Sequence, residues 1–286
     1  MNVLELFSGT HSVGKVCKEL GWNVVSVDNE LPATHEIDIL DFNYKQYPKD
    51  HFSIVWASPP CTYYSSLQNC WLGRKKKGMT EIYTKEKLEE QRKESDKLIL
   101  KTFEIIEYFK PELWCLENPQ KGTLKNREIM KGVPYYDVSY CMYSDWGYEK
   151  RTRIWTNKKN FNNLLCDKSG ACGNMIEIPT DGAKRHDTGK PLKCKTRKLH
   201  SNILCKSETL RAIRKHKKVL GNGYELINGK VVICNTKELR LKHKLNVAND
   251  IHTIGEKKGK KTFGEGTDKL DRYRIPPDLI FSLFLD

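Results

Sequence analysis

Short apolar runs alternate with helical patterns through the first half of the chain, and this alternation constrains the fold more than any other feature. Val3–Leu6, Val24–Val27, Phe52–Ala57 and Leu113–Leu116 have the length and composition of buried strands. Val13–Leu20 and Lys87–Phe109 space their apolar residues as helices do. In the second, Leu98, Phe103, Ile106 and Phe109 fall near one face and Pro111 ends the pattern. Asp137–Met142 and Arg153–Thr156 are expected to complete the sheet. Strands joined by crossover helices predict an α/β fold with a doubly wound, mostly parallel sheet. Ligands of such sheets bind at the carboxyl ends of the strands.

The pattern stops near residue 157. Residues 1–156 are therefore expected to form one domain. Residues 157–266 form a smaller, irregular region, and 267–286 a terminal helix, opened by Pro276-Pro277, that returns to the sheet. Charge divides the chain in the same way. Residues 1–60 carry 4 Lys/Arg against 8 Asp/Glu, and residues 183–261 carry 22 against 6, a net of +16. A basic segment of this kind attracts polyanions, nucleic acid first among them. Within it, Leu204–His216 reads as a basic helix bearing Arg211 and Arg214. Tyr224–Ile233 reads as a hairpin turning at Asn228-Gly229, and Thr253–Thr267 as a Gly/Lys-rich loop. Ten scattered cysteines fit a reducing compartment better than a disulfide scaffold. Cys17, Cys115 and Cys141 sit in apolar stretches and read as core. No leader or membrane-spanning run is visible, so a soluble, intracellular monomer is expected.

The residues that carry chemistry fall just after the strands. Phe7-Ser8-Gly9-Thr10-His11-Ser12 with Gly14 joins the first strand to the first helix. Glycine lets a ligand approach the backbone there, and the helix start offers free N–H groups. Asp28 ends the second strand, where a carboxylate commonly accepts from a ribose diol. Asp38 could accept from an amine or amide. Ser58-Pro59-Pro60-Cys61 follows the next strand, and two prolines stiffen a turn that presents a thiol to the crevice. Glu117-Asn118-Pro119 is expected to follow a neighbouring strand and to face the same crevice, where a protonated carboxyl could donate to a ring nitrogen. Arg151 and Arg153 open a further strand and share one of its sides.

This order of motifs resembles the cytosine-5 DNA methyltransferases over residues 1–156, with an echo at 270–286, and most closely their short phage and large-virus members. The resemblance implies a Rossmann-like methyltransferase fold that binds S-adenosyl-L-methionine through Phe7, Ser8, Gly9, Thr10, His11, Ser12, Asp28, Asp38, Ile39 and Pro59. It makes Cys61 a nucleophile that adds to C6 of a flipped-out cytosine. It places Glu117 at N3 and the exocyclic amine, with Arg153 at O2 and Arg151 beside it. Ser65 matches a downstream serine of the Pro-Cys motif. Cys61 also stands where amino-methyltransferases carry an aromatic residue after Pro-Pro, which argues against exocyclic-amine methylation. His11 in place of glycine, Glu149 in place of glutamine, Pro119 in place of valine and a missing Gly-Asn near the end are the departures from the family pattern.

The resemblance makes residues 157–266 a target-recognition region for double-stranded DNA. Lys75, Lys76 and Lys77 lie just after Cys61, where they could touch phosphate, and Arg211 and Arg214 extend the basic surface. A cytosine-5 methyltransferase acting on RNA would use the same catalytic residues. A binding protein that keeps the fold would not need the thiol. Cys166, Cys172, His186 and Cys194 raise the question of a structural zinc, although their spacing is unlike common zinc signatures.

Overall fold

The computed structural model describes residues 1–75, 78, 80–146, 149–179, 196–200, 223–227, 230–234 and 274–285. They fall into two compact units, one of Met1–Tyr143, Lys150–Leu165 and Tyr273–Asp286, the other of Ser144–Glu149 and Cys166–Arg272. Lys76, Lys77, His186, Cys194, Arg211, Arg214, the basic helix expected at Leu204–His216 and the loop expected at Thr253–Thr267 lie outside the described residues.

The first unit holds a seven-stranded sheet of β1 (Asn2–Leu6), β2 (Asn23–Asp28), β3 (His35–Glu36), β4 (Ile54–Ala57), β5 (Leu113–Pro119), β6 (Tyr135–Ser139) and β7 (Arg151–Thr156). Its order is β3-β2-β1-β4-β5-β7-β6. The pairings among β1 to β5 are parallel, and those of β7 with β5 and β6 are antiparallel. The chain runs outward from β1 to β3, then returns to the other side of β1 as β4. That reversal is a topological switch point, where an open sheet leaves a crevice at its carboxyl ends. The sheet is thus Rossmann-like, doubly wound and mostly parallel, as the alternation predicts.

Ile54-Val55-Trp56-Ala57 is buried on both faces, which is why β4 reads as a continuous apolar run. Leu4, Leu6, Val55, Ala57 and Leu116 meet Ile99, Ile105, Ile106 and Phe109 of α2 (Lys85–Phe109) in the core. Thr84 caps α2 by accepting from Lys87 N at 3.2 Å. The helix ends at Lys110 in the left-handed conformation, just ahead of Pro111. α1 (Ser12–Glu19) buries Val13, Val16 and Cys17. α3 (Pro277–Leu285) packs against α1 and the sheet. Ile275 N donates to Ser12 Oγ at 3.2 Å, and the Phe284 ring lies 6.0 Å from Trp22 and 6.1 Å from Trp56. Cys17, Cys115 and Cys141 are buried, as read from their apolar surroundings.

Two strands differ from the sequence reading. β5 does not end before Glu117 but continues to Pro119, so Glu117 and Asn118 belong to the strand itself. Pairing with β4 stops at Ala57↔Leu116, and beyond it only β7 is bonded. Pro119, which has no N–H, therefore withdraws no donor from a fully paired strand. β6 is Tyr135–Ser139 rather than Asp137–Met142, because Tyr135 and Tyr136 pair with Trp155 and Ile154 and the chain then turns at Tyr140–Met142.

The second unit has its own four-stranded sheet, β10-β11-β8-β9. β8 is Met175–Pro179 and β9 is Thr196–His200. β10 (Gly223–Ile227) and β11 (Lys230–Cys234) pair antiparallel, and the turn expected at Asn228-Gly229 lies outside the described residues. β8 and β9 are strands that sequence periodicity did not expose. Among the described residues no helix is long and apolar enough to cross a membrane.

Candidate active site

The carboxyl ends of β1, β2, β4 and β5 all open on the switch point. At β1 the chain makes a contorted turn. Phe7, Gly9 and His11 all have positive φ, at 56°, 50° and 55°. Only the glycine adopts this without cost, so two non-glycine residues hold strained backbone, a pattern that concentrates at ligand sites. The turn is pinned by Ser8 N donating to Val27 O at 3.1 Å and by Gly9 N donating to Asp28 Oδ2 at 2.8 Å. Asp28 Oδ1 also accepts from Glu30 N and Leu31 N, so this carboxylate organises the crevice wall. Thr10 Oγ1 and Ser12 Oγ lie 3.1 Å apart. Asp38 is half-buried and accepts from Leu40 N at 2.9 Å, while Ile39 is buried in the core.

Glu5 is a residue that motif reading missed. Its side chain is buried at the base of this turn, and Oε1 accepts from Val13 N, an otherwise unpaired N–H of the first turn of α1. Oε2 and Ser8 Oγ are buried without a hydrogen-bond partner, although Oε2 faces His11 Nδ1 at 3.7 Å. Buried polar atoms are normally satisfied, so Ser8 Oγ and the remaining capacity of Oε2 could take a polar group from outside the chain. An amine-bearing, nucleotide-like group such as S-adenosyl-L-methionine fits that donor and acceptor set. His11 departs from glycine at a point where its ring has work within the turn. Nε2 lies 2.6 Å from Pro32 O and Nδ1 lies 3.7 Å from Glu5 Oε2. The Glu5 carboxylate raises the imidazole pKa. A Cβ on Gly14 would lie 2.6 Å from Glu5 Oε2 and 3.3 Å from Val24 Cγ1. Gly14→Ala is therefore expected to destabilise the fold by about 1–3 kcal/mol through overpacking, despite alanine's better helix propensity. Urea unfolding checks this, and an unchanged midpoint would show that the Glu5 side chain moves freely.

Cys61 stands on the turn after β4 and is half-buried. Four hydrogen bonds fix that turn. Asn118 Nδ2 donates to Pro59 O at 2.9 Å, and Thr123 donates to Tyr64 O from N at 2.7 Å and from Oγ1 at 3.0 Å. Arg92 Nε donates to Tyr63 O at 3.2 Å. Burial and then the negative charge of Glu117 push the Cys61 thiol up, while Lys150 pulls it down. Cys17 and Cys115 are driven to about 12, chiefly by burial, and suit a core role. Ser65 opens the next 3-10 turn by accepting from Leu67 N at 3.3 Å, and Lys75 is exposed.

Glu117 is buried beside Cys61's turn. Tyr140 Oη donates to its Oε1 at 3.2 Å, and Lys150 Nζ lies 3.3 Å from the same oxygen. Tyr140 lies outside the motifs, and Lys150 is only the variable position between Glu149 and Arg151. Because β7 is antiparallel to β5, its first residues meet the carboxyl end of β5, and that brings Arg151, Arg153 and Lys150 to this edge. Arg153 turns elsewhere within the edge. Its guanidinium donates to Asp137 Oδ1 at 2.7 Å and to Oδ2 at 2.9 Å, and it stacks 3.5 Å from the centre of the Tyr135 ring. Arg151 is half-buried, and its carbonyl accepts from Gln120 N at 3.0 Å. In the second unit, Glu149 pairs with Lys168 at 3.5 Å, and the sulfurs of Cys166 and Cys172 lie within 4.8 Å of each other.

No family model matches the chain. The Frog virus 3 (isolate Goorha) protein named "Probable DNA (cytosine-5)-methyltransferase" is 42% identical over 188 residues, which cover 65% of this chain and 84% of that one. Among solved structures, the Entamoeba histolytica methyltransferase EhMeth matches at 15% identity, with a TM-score of 0.41, over 58% of this chain and 55% of its own. A DNA modification methyltransferase encoded within an E. coli prophage matches at 12% identity, with a TM-score of 0.39, over 67% of this chain and 62% of its own. The viral identity, sustained over most of the relative's length, shows that this chain belongs to the DNA (cytosine-5)-methyltransferase family.

Proposed function

We propose that the chain methylates C5 of cytosine in double-stranded DNA, using S-adenosyl-L-methionine and a covalent adduct of Cys61. The observation that carries the reading is the convergence of a thiol on a rigid turn, Cys61, with a buried carboxylate, Glu117, at adjacent parallel strand ends. Cytosine C5 is a poor nucleophile until C6 is attacked, and a thiolate is well suited to that attack. Cys61 sulfur bonds to C6 of a base turned out of the stack. Glu117 holds N3 and the exocyclic amine, and a proton relayed from solvent through Glu117 to N3 takes up the electron density that the addition delivers to the ring. S-adenosyl-L-methionine, when bound, supplies an electrophilic methyl group. Loss of the C5 proton then lets the S–C6 bond break and returns Cys61 as thiolate.

Asp28, Glu5 and the Phe7–Ser12 turn hold the cofactor, with Asp38 and Pro59 at its margins. Arg151 and Arg153 supply positive charge at the same sheet edge, Arg153 being fixed there by Asp137. The basic segment of the second unit, with Lys75 to Lys77, contacts phosphates. The domain scheme of residues 1–156, 157–266 and 267–286 is a functional division into catalysis, target contact and return to the sheet.

The test is incubation of the purified chain with methyl-labelled S-adenosyl-L-methionine and either duplex DNA or tRNA, followed by nucleoside analysis. The expected product is 5-methylcytosine in DNA. Label confined to tRNA, label on an exocyclic amine, or no transfer would overturn the proposal.

A further inference from the structure

Lys150 sits at the reaction centre without belonging to any motif that marks it. Its position is fixed from both sides. Its carbonyl accepts from Tyr140 N at 3.2 Å, and the carbonyl of Arg151, next in the chain, accepts from Gln120 N at 3.0 Å. Its ammonium lies 3.3 Å from Glu117 Oε1 and 4.8 Å from the centre of the Tyr140 ring. Tyr140 Oη reaches the same Glu117 oxygen at 3.2 Å. The side chains of Lys150 and Glu117 are only 21% and 8% exposed, so water screens this pair weakly.

The proposed chemistry sets a problem at this place. Cys61 must become a thiolate, its proton leaving to solvent, beside a buried carboxylate. Two anions at one partly dry site repel, and each makes the other harder to form. We propose that Lys150 is a positioning residue whose ammonium serves as the shared counter-ion of Glu117 and Cys61, fixing the carboxylate against Tyr140 and making room for the thiolate. The idea rests on the reading of Cys61 and Glu117 as the reacting pair. Among the described residues, the charged groups that act on the thiol are Glu117 from β5, which holds its proton on, and Lys150 from the residue before β7, which draws it off. Tyr140, from the turn after β6, acts on Glu117. Arg153 is engaged by Asp137.

The test needs neither DNA nor cofactor. Cys61 alkylation by iodoacetamide is followed by mass spectrometry of its peptide across pH in wild type, Lys150→Met and Lys150→Arg. Removing the cation is expected to slow alkylation at neutral pH about tenfold and to move the half-point upward, the size of shift a close charge commonly makes. Lys150→Arg keeps the charge and is expected to stay within about twofold of wild type. A purely structural role would not return with charge alone. Should Lys150→Met fail to fold, Lys150→Gln replaces it, keeping a hydrogen bond to Glu117 without the charge. A wild-type pH profile in the neutral variant overturns the proposal, as does a loss that arginine does not restore. If the profile shifts as expected but wild type transfers no methyl group to DNA, the counter-ion stands and the methylation reading fails.

Discussion

Cys61→Ser is expected to lower the rate of methyl transfer to DNA by about 10³-fold or more while leaving the fold intact. A thiol can ionise within reach of neutral pH, whereas a serine hydroxyl keeps its proton far above it. The substitution removes one sulfur and adds no bulk, and the backbone contacts of Pro59, Tyr63 and Tyr64 do not depend on it. Circular dichroism and cofactor affinity should therefore match wild type. A duplex carrying 5-fluorocytosine sharpens the result. Fluorine at C5 cannot leave as a proton, so the enzyme should remain bonded to that DNA through Cys61 and survive denaturing electrophoresis, and the serine variant should not. Retention of a tenth of the activity, or of the trapped complex, would remove Cys61 from the mechanism. The pH dependence has a definite sign. Burial and Glu117 raise the thiol pKa, so the thiolate is the minor form at neutral pH. The rate on unsaturating DNA should then climb about tenfold per pH unit above neutrality until the thiol is ionised.

Much of this was legible from the order of residues, and the parts that were not share a physical cause. Ile54–Ala57 announces a strand because both its faces are buried, and Pro59-Pro60 then states where the chain turns. Glu117 was expected just after a strand and lies within β5 instead. Asn118-Pro119 reads as a breaker, yet β5 continues through it because only one neighbour bonds that stretch. The partners across strands were the hidden part. Arg153 meets Asp137 because β6 and β7 pair with those residues opposite each other, a register no local pattern discloses. Lys150 was hidden by the same kind of register. Glu117 lies opposite Ile154, so the even-numbered positions of β7 share its face, and continuing the alternation one residue before the strand brings Lys150 to that face. Arg151 and Arg153, which motif reading favours, fall on the other. Glu5 was hidden for a different reason. A carboxylate within a buried strand looks like an error of pattern until its role at the start of α1 is seen.

Arg127→Ala is expected to cost about 3–5 kcal/mol of stability and to lower the melting temperature by roughly 6–15 °C. Arg127 Nε donates to Asp96 Oδ1 at 3.1 Å and to Oδ2 at 3.0 Å, and its guanidinium also reaches Glu89. Tyr64, fully buried, donates from Oη to Asp96 Oδ1 at 2.8 Å. The Arg127 and Asp96 side chains are 18% and 14% exposed, so alanine would leave a carboxylate largely out of water with only a phenol to answer it. Breaking such a pair from one side costs far more than an exposed ion pair contributes. Arg127→Lys should recover only part, because an ammonium cannot serve both carboxylates with the planar fork of a guanidinium. Denaturant unfolding decides the matter, and a loss below about 1 kcal/mol would show the cluster to be a surface pair of little consequence. The effect should also reach catalysis. The carbonyl of Tyr64 is the acceptor that Thr123 uses to close the Cys61 turn, and α2 contributes both Asp96 to the Tyr64 ring end and Arg92 to the Tyr63 carbonyl. Loosening Asp96 frees one anchor of the turn that aims the thiol. At a temperature where Arg127→Ala is still folded, kcat is therefore expected to fall while cofactor affinity holds, since the hydrogen bonds that pin the β1 turn run to Val27 and Asp28, outside this cluster.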